Sequence, residues 1–206
     1  DKTAVGAVLP QVPETDLHYT LNGVSATLND GASPVWSGWL PHLDASVSDA
    51  FTAGSAPHDQ FRADATTADT LTLSTQLDLH HMLRPDVQPG STLDYEYRPE
   101  TVTVVLKSSS AMTVTSDAAR VEVASDNENG STVQLTVENA GLKWVPVEID
   151  LRRRRPNEPL GLTATWHTAD DARERPFPLR RFFLPWAQPA DAAAELEATI
   201  VEVPAE

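Results

Sequence analysis

The sequence predicts an all-β protein: an antiparallel β-sandwich of jelly-roll or immunoglobulin-like type, with a short helical excursion around residues 44–63. Three observations predict it. Residues 93–151 carry one short apolar–polar alternation after another, through Val102, Val104 and Leu106, then Met112 and Val114, then Val121 and Val123, then Val133, Leu135 and Val137. An apolar residue at every second position gives each strand one core face and one wet face. Turn-forming clusters separate the runs, the clearest being residues 126–130, where Asn129-Gly130 suits a hairpin turn. One stretch, residues 36–63, departs from the β pattern. Two packed sheets with an insertion follow from these features.

Taken in order, residues 1–16 read as an extended leader with Pro10 and Pro13. Residues 17–188 are expected to form one sandwich domain and residues 189–206 a tail or added strand. Residues 17–28 place Asn22-Gly23 between two alternating runs, a hairpin signal, and residues 29–34 read as a loop. In the excursion, Asp44 can cap a helix whose Val47, Ala50 and Phe51 share one face, with Gly54 to close it. Ser55 can cap a second helix with Pro57 in its first turn and Phe61 on its inner side. Residues 63–69 read as a loop. Leu71, Leu73, Leu77 and Leu79 mark a strand, ended by Arg84-Pro85 and Gln88-Pro89-Gly90. Residues 142–151 form a strand that Pro146 should place at an edge or a bulge. Residues 160–167 form another, with Leu162, Ala164 and Trp166 on one face. Residues 176–186, PFPLRRFFLPW, close the sandwich with aromatic and aliphatic side chains. Residues 190–197 can make a helical turn and residues 199–203 a strand.

Composition narrows the function classes. With 206 residues the chain can bury a core without covalent staples, and it has no cysteine to make them. This removes thiolate metal sites, a cysteine nucleophile and CxxCH haem attachment from the chain. Thirty acidic against fifteen basic residues give a net charge of −15, which repels nucleic acid and anionic lipid. The acidity serves solubility, with calcium or a cationic partner as the competing reading. No apolar run approaches the roughly 20 residues of a membrane-spanning helix, so membrane insertion is not expected. Starting at Asp1, the sequence reads as a mature or excised region whose targeting segment is not shown.

Several constellations can carry chemistry. His42 and His58 are each closely followed by an aspartate, Asp44 and Asp59. Imidazole and carboxylate together bind zinc or copper, or work as an acid–base pair; the competing reading is that each imidazole orders its own helix entry. In His80-His81-Met82, neighbours on a strand point to opposite faces, leaving His80 and Met82 as a copper-type pair or as packing. The oxygen-rich run Asp126-Asn127-Glu128-Asn129 resembles a calcium loop without the full EF-hand pattern. Arg152 to Arg155 is the one basic run, suited either to phosphate or to the protein's own acidic surface. Trp36 and Trp39, among five tryptophans, can form a sugar-stacking platform if exposed together, and otherwise belong to the core. Gly-x-Ser-x-Gly is absent, and nothing else fixes a nucleophile.

The phrases WSGWLPHLD, AFTAGSAPHDQF, TLSTQLDLHHMLRPDVQPGSTLDYEY and PFPLRRFFLPWA together resemble a region of large extracytoplasmic bacterial proteins that also carry c-type haem-binding domains. The resemblance spans residues 36–187 and carries no catalytic motif, so it assigns no residue a role. It implies export and an accessory β domain beside a redox module; lacking CxxCH, this chain departs from the redox part itself.

The expected function is therefore a non-catalytic interaction domain in a periplasmic or secreted, multidomain protein, with protein domains or glycans as partners. No cofactor is required. The alternatives are a carbohydrate-binding module using Trp36 and Trp39, and a metalloprotein holding calcium, zinc or copper, the last two through His42 and His58.

Overall fold

A computed structural model describes residues 22–83, 99–141 and 144–187. Its strands are β1 (Val24–Asp30), β2 (Ser33–Leu40), β3 (Thr70–Leu77), β4 (Glu100–Ser108), β5 (Ala111–Thr115), β6 (Arg120–Asn127), β7 (Gly130–Ala140), β8 (Val145–Arg152), β9 (Thr163–Thr168), β10 (Arg175–Pro176) and β11 (Phe182–Phe183). Two helices, α1 (Ala45–Thr52) and α2 (Ala56–Asp64), lie between β2 and β3. One sheet runs β2-β1-β3-β8-β5, with β11 also on β3, and the other runs β10-β9-β4-β7-β6. The inner faces of both sheets, from Leu28, Leu73 and Ile149 on one to Val104, Leu135 and Trp166 on the other, meet in one buried apolar cluster. The all-β sandwich with a helical excursion is the observed fold.

The alternating runs become strands where predicted. In β3 every second residue from Leu71 to Leu77 is buried, and β8 alternates likewise from Val145 to Leu151. Other expectations give way to tertiary context. The turn near residue 30 is a tight one: Asp30 pairs with Ser33, and Gly31 sits at φ 57°. The expected loop over residues 29–34 is thus the tip of a hairpin, and β2 occupies the first part of the supposed excursion. Of the hairpin expected over residues 17–28, residues 17–21 lie outside the described residues. So do the leader, the tail elements, and the proline terminators at residues 84–90.

Pro146 does not put β8 at an edge. That strand is paired on both sides, yet β5 reaches only from Ala111 opposite Arg152 to Thr115 opposite Glu148. Pro146 lies past the end of β5, where no ladder bond is asked of it. Helix α1 also reverses the predicted face. Ser48 and Thr52 are buried while Phe51 is 64% exposed. The buried hydroxyls are satisfied locally, Ser48 by the His42 carbonyl at 2.6 Å and Thr52 by the Ser48 carbonyl at 2.8 Å. Asp44 caps α1 as predicted, accepting from the Ser46 and Val47 N–H groups.

The edge strand β2 packs tightly on itself. Trp36 lies along it, and a Cβ at Gly38 would sit 2.5 Å from the indole. A side chain at position 38 therefore has to displace the indole from Phe61, whose ring lies 4.8 Å away. Gly38→Val is expected to destabilise the fold by about 1–3 kcal/mol, read as a lower urea midpoint at unchanged slope. An unchanged midpoint would mean that Trp36 moves freely and does not anchor the helices.

Candidate functional site

The excursion gathers the residues that the sequence singled out, though not into one metal-binding group. His42 follows β2 and is 2% exposed. Its Nδ1 accepts the Asp44 N–H at 2.8 Å, so the ring proton is on Nε2, which donates to the Phe177 carbonyl at 2.9 Å. The ring stands edge-on to Phe182, 4.6 Å between centroids. Burial lowers its pKa, against the opposing pull of the Phe177 carbonyl and the Asp44 charge.

His58, in the first turn of α2, reaches back to β2. Its Nε2–H donates to the Trp39 carbonyl at 2.9 Å, and its Nδ1 meets the Ser55 hydroxyl at 2.9 Å. Its ring stands edge-on to Trp39. Asp44 is spent on the α1 cap, and Asp59 pairs with Arg62. Both nitrogens of both imidazoles thus have protein partners, and either would have to give one up to hold a metal. Among the described residues no group of three or more His, Asp or Glu side chains gathers at metal-binding range.

The remaining candidates also find partners within the fold. His80 and His81 lie past the end of β3 in a turn, where His81 takes φ 48° and the two rings approach to 3.7 Å. The strand geometry that would have separated them does not apply. Asp126 is held by Arg154 and by the Ser131 hydroxyl at 2.7 Å, and these contacts, Ser131 foremost, keep its carboxyl below the usual carboxylate range. Arg155 reaches the Glu128 carbonyl at 3.2 Å. The oxygen-rich turn and the arginine run are therefore partners of one another. Arg153 donates to the carbonyls of Ala65, Ala68 and Glu158, tying the end of α2 to the turn after β8.

The tryptophans divide. Trp166 is buried, Trp144 stacks on Phe183 at 3.8 Å, and Trp36 is half-buried, its indole N–H donating to the Pro57 carbonyl. Trp39 is 50% exposed and Trp186 is 48% exposed. Trp186 is one of the five tryptophans from which the sequence offered a platform, and Pro185 before it marks a turn. Gln76 builds that turn by donating to the carbonyls of Leu184, Pro185 and Ala187 at 2.7–3.2 Å. Trp39 and this turn flank Gly23, where a Cβ would meet the Trp39 ring at 3.3 Å and the Leu184 side chain at 3.8 Å. Beside the turn, the outer face of the six-stranded sheet has a shallow depression of about 280 Å³ lined by Ser74, Gln76, Asp117, Glu148 and Pro185. The half-exposed tryptophans are thus Trp39 and Trp186, while Trp36 packs inward on Phe61.

No protein-family model matches the chain, and no curated protein matches it. Among solved structures it is similar to an anti-sigma factor domain-containing protein, with TM-score 0.51, 11% identity, and coverage of 85% of this chain and 51% of that one. An anti-sigma factor domain-containing protein from Clostridium clariflavum gives TM-score 0.44 at 10% identity, covering 79% of this chain and 48% of the other. The chain thus spans about half the length of these structures, and the first likeness is one of fold.

Two outcomes follow from the imidazole geometry. Since burial lowers the His42 pKa from 6.5, the unfolded chain binds a proton that the folded chain refuses. Its stabilisation is full above that value and is lost as pH falls below it toward the folded pKa. At about pH 8, His42→Ala is expected to cost about 1–3 kcal/mol through the orphaned Phe177 carbonyl. The gap between wild type and variant should then narrow toward about pH 5. A gap independent of pH would show that His42 is not held neutral. Secondly, zinc or copper added to chelator-stripped protein should leave the melting temperature unchanged. A rise that His58→Ala abolishes would restore the metal reading.

Proposed function

We propose that the chain is a non-catalytic interaction domain of an extracytoplasmic, multidomain protein, and that it binds its partner through the end of the six-stranded sheet bearing Trp39 and Trp186. The observation that carries this reading is the exposure of Trp39 on the edge strand β2 and of Trp186 in the closing turn, at 50% and 48%. Half-exposed tryptophans at a sheet edge suit a binding surface, because they supply large contact area at low entropic cost. The side chains that the sequence offered for catalysis are meanwhile engaged in holding helix ends and turns. The fold neighbour is named for an anti-sigma factor domain, a designation of binding rather than of catalysis. Export rests on the resemblance of residues 36–187 to extracytoplasmic bacterial proteins.

A second reading, carbohydrate binding, is favoured by one specific feature. The depression beside the Trp186 turn is lined by hydroxyls, an amide and two carboxylates, the groups that hydrogen-bond sugar hydroxyls while an aromatic face stacks on the ring.

A photo-reactive amino acid at position 39, in the full-length protein in its own cells, is expected to give a discrete protein adduct. The same probe at Thr163, exposed on the other sheet, should give none. Equal labelling at both positions would remove the surface assignment. Turnover of any substrate, abolished by one substitution, would overturn the non-catalytic reading. Retardation in polysaccharide affinity gels, weakened about tenfold or more by Trp39→Ala or Trp186→Ala, would favour glycans. Both variants should retain stability to within about 1 kcal/mol.

A further inference from the structure

The two sheets have four edges among the described residues, and three are protected. At β2 the Trp39 carbonyl is taken by His58, and α2 lies against the strand through the Trp36–Pro57 bond. Strand β10 is two residues long and contains Pro176. Strand β5 has five residues. Strand β6 is different: it is eight residues long and exposed throughout except at Val121, and none of its backbone groups bonds to any described residue beyond β7. Its core-facing side also lacks cover. Val123 pairs with the fully buried Val133, yet it is 64% exposed. Ala119 and Val121 are only partly buried beside it. Unpaired strand edges with apolar faces recruit other strands.

We propose that β6 pairs antiparallel with β6 of a second copy of the chain, about a two-fold axis through Val121, joining two five-stranded sheets into one. The charge order of the strand selects this occupant. Arg120 and Glu122 lie two residues apart on one face, both more than half exposed. In an antiparallel pair centred on Val121, Arg120 stands opposite the partner's Glu122, and Glu122 opposite the partner's Arg120. A strand with a cation and an anion two positions apart is its own antiparallel complement, and opposite charges directly across a ladder stabilise it. On the other face Val121 meets its own copy, and Val123 meets the partner's Ala119, which covers the exposed valine. The bulge between Val123 and Ser125 lies beyond the paired stretch and does not interrupt it. The long-range repulsion between two chains of charge −15 is largely screened beyond about 8 Å at physiological salt. This surface lies on the opposite sheet from Trp39 and goes beyond the proposed partner-binding end.

Sedimentation equilibrium of the full chain over a broad concentration range tests it. The expected result is reversible association to twice the monomer mass, lost in Val123→Asp, whose exposed position leaves the fold intact. Arg120→Glu and Glu122→Arg place like charges across the ladder and should each weaken self-association about tenfold or more. An equimolar mixture of the two should associate as strongly as wild type, since the doubly acidic strand then faces the doubly basic one. A wild type that stays monomeric, single variants that associate unchanged, or a mixture that fails to restore association would each overturn the proposal.

Discussion

The structure depends on a break in one lane of the six-stranded sheet. Strand β3 extends past the start of β1, and its last residues, Gln76 and Leu77, would present an open edge inside the sandwich. The closing segment fills the gap: Phe182 and Phe183 pair with Leu77 and Gln76 in the lane that β1 vacates. Thr75 seals the junction by placing its hydroxyl between the carbonyls of Gly23 at 3.1 Å and Phe183 at 2.9 Å. The Gly23 N–H bonds to the Phe182 carbonyl, and the chain turns aside there at φ 138°, a conformation that glycine adopts without strain. Phe182 is fully buried as a result. Buried backbone groups must be paired, so this splice fixes the positions of His42, Trp39 and the Trp186 turn around it.

The sandwich has two unlike sides. Near β2 the helices close it with a polar network in which His42, Ser48, Thr52 and His58 are all buried. Helices inserted between strands bring their own terminal N–H and C=O groups, and side-chain donors and acceptors at these positions satisfy them. Arg153 serves the same need, giving one guanidinium to three carbonyls. On the other side β6 overhangs, with no helix and no polar network among the described residues to cover Val123. The acidic excess does not reduce the arginines to surface charge: Arg153 and Arg154 anchor turns, and Arg181 pairs with Asp78 and donates to the His80 carbonyl beyond β3.

The period of two was legible because burial against a facing sheet enforces it locally. Strands β3, β7 and β8 show it in sequence and in burial alike. What the sequence left hidden depends on which element lies opposite. Val123 alternates as faithfully as Val133, but only one has a sheet above it. Ser33–Leu40 carries no alternation because both of its faces are largely wet, so it read as loop and excursion. In α1 the spacing of Val47 and Phe51 marked an apolar face, yet the buried positions went to Ser48 and Thr52, whose hydroxyls bond backbone carbonyls.

The candidate site was half legible for a related reason. Helix capping by Asp44 is a contact over two or three residues, and its signature is in the sequence. The partners of the imidazoles are not: the Phe177 carbonyl is 135 residues from His42, and the Trp39 carbonyl is 19 residues from His58. A histidine free to bind metal or move protons and one locked into a fold look alike in sequence, because the difference is the occupancy of the second ring nitrogen. Here both nitrogens of both rings are occupied. Tryptophan burial in a sandwich depends on whether a residue meets the facing sheet or the end of its own. Trp166 meets the facing sheet, whereas Trp39 lies on the edge strand β2 and Trp186 in the turn beyond β11. The exposure of Trp39 follows from its register: it pairs with Ser25 on the outer face of the sheet, whereas its neighbour Leu40 pairs with the buried Val24 on the inner one.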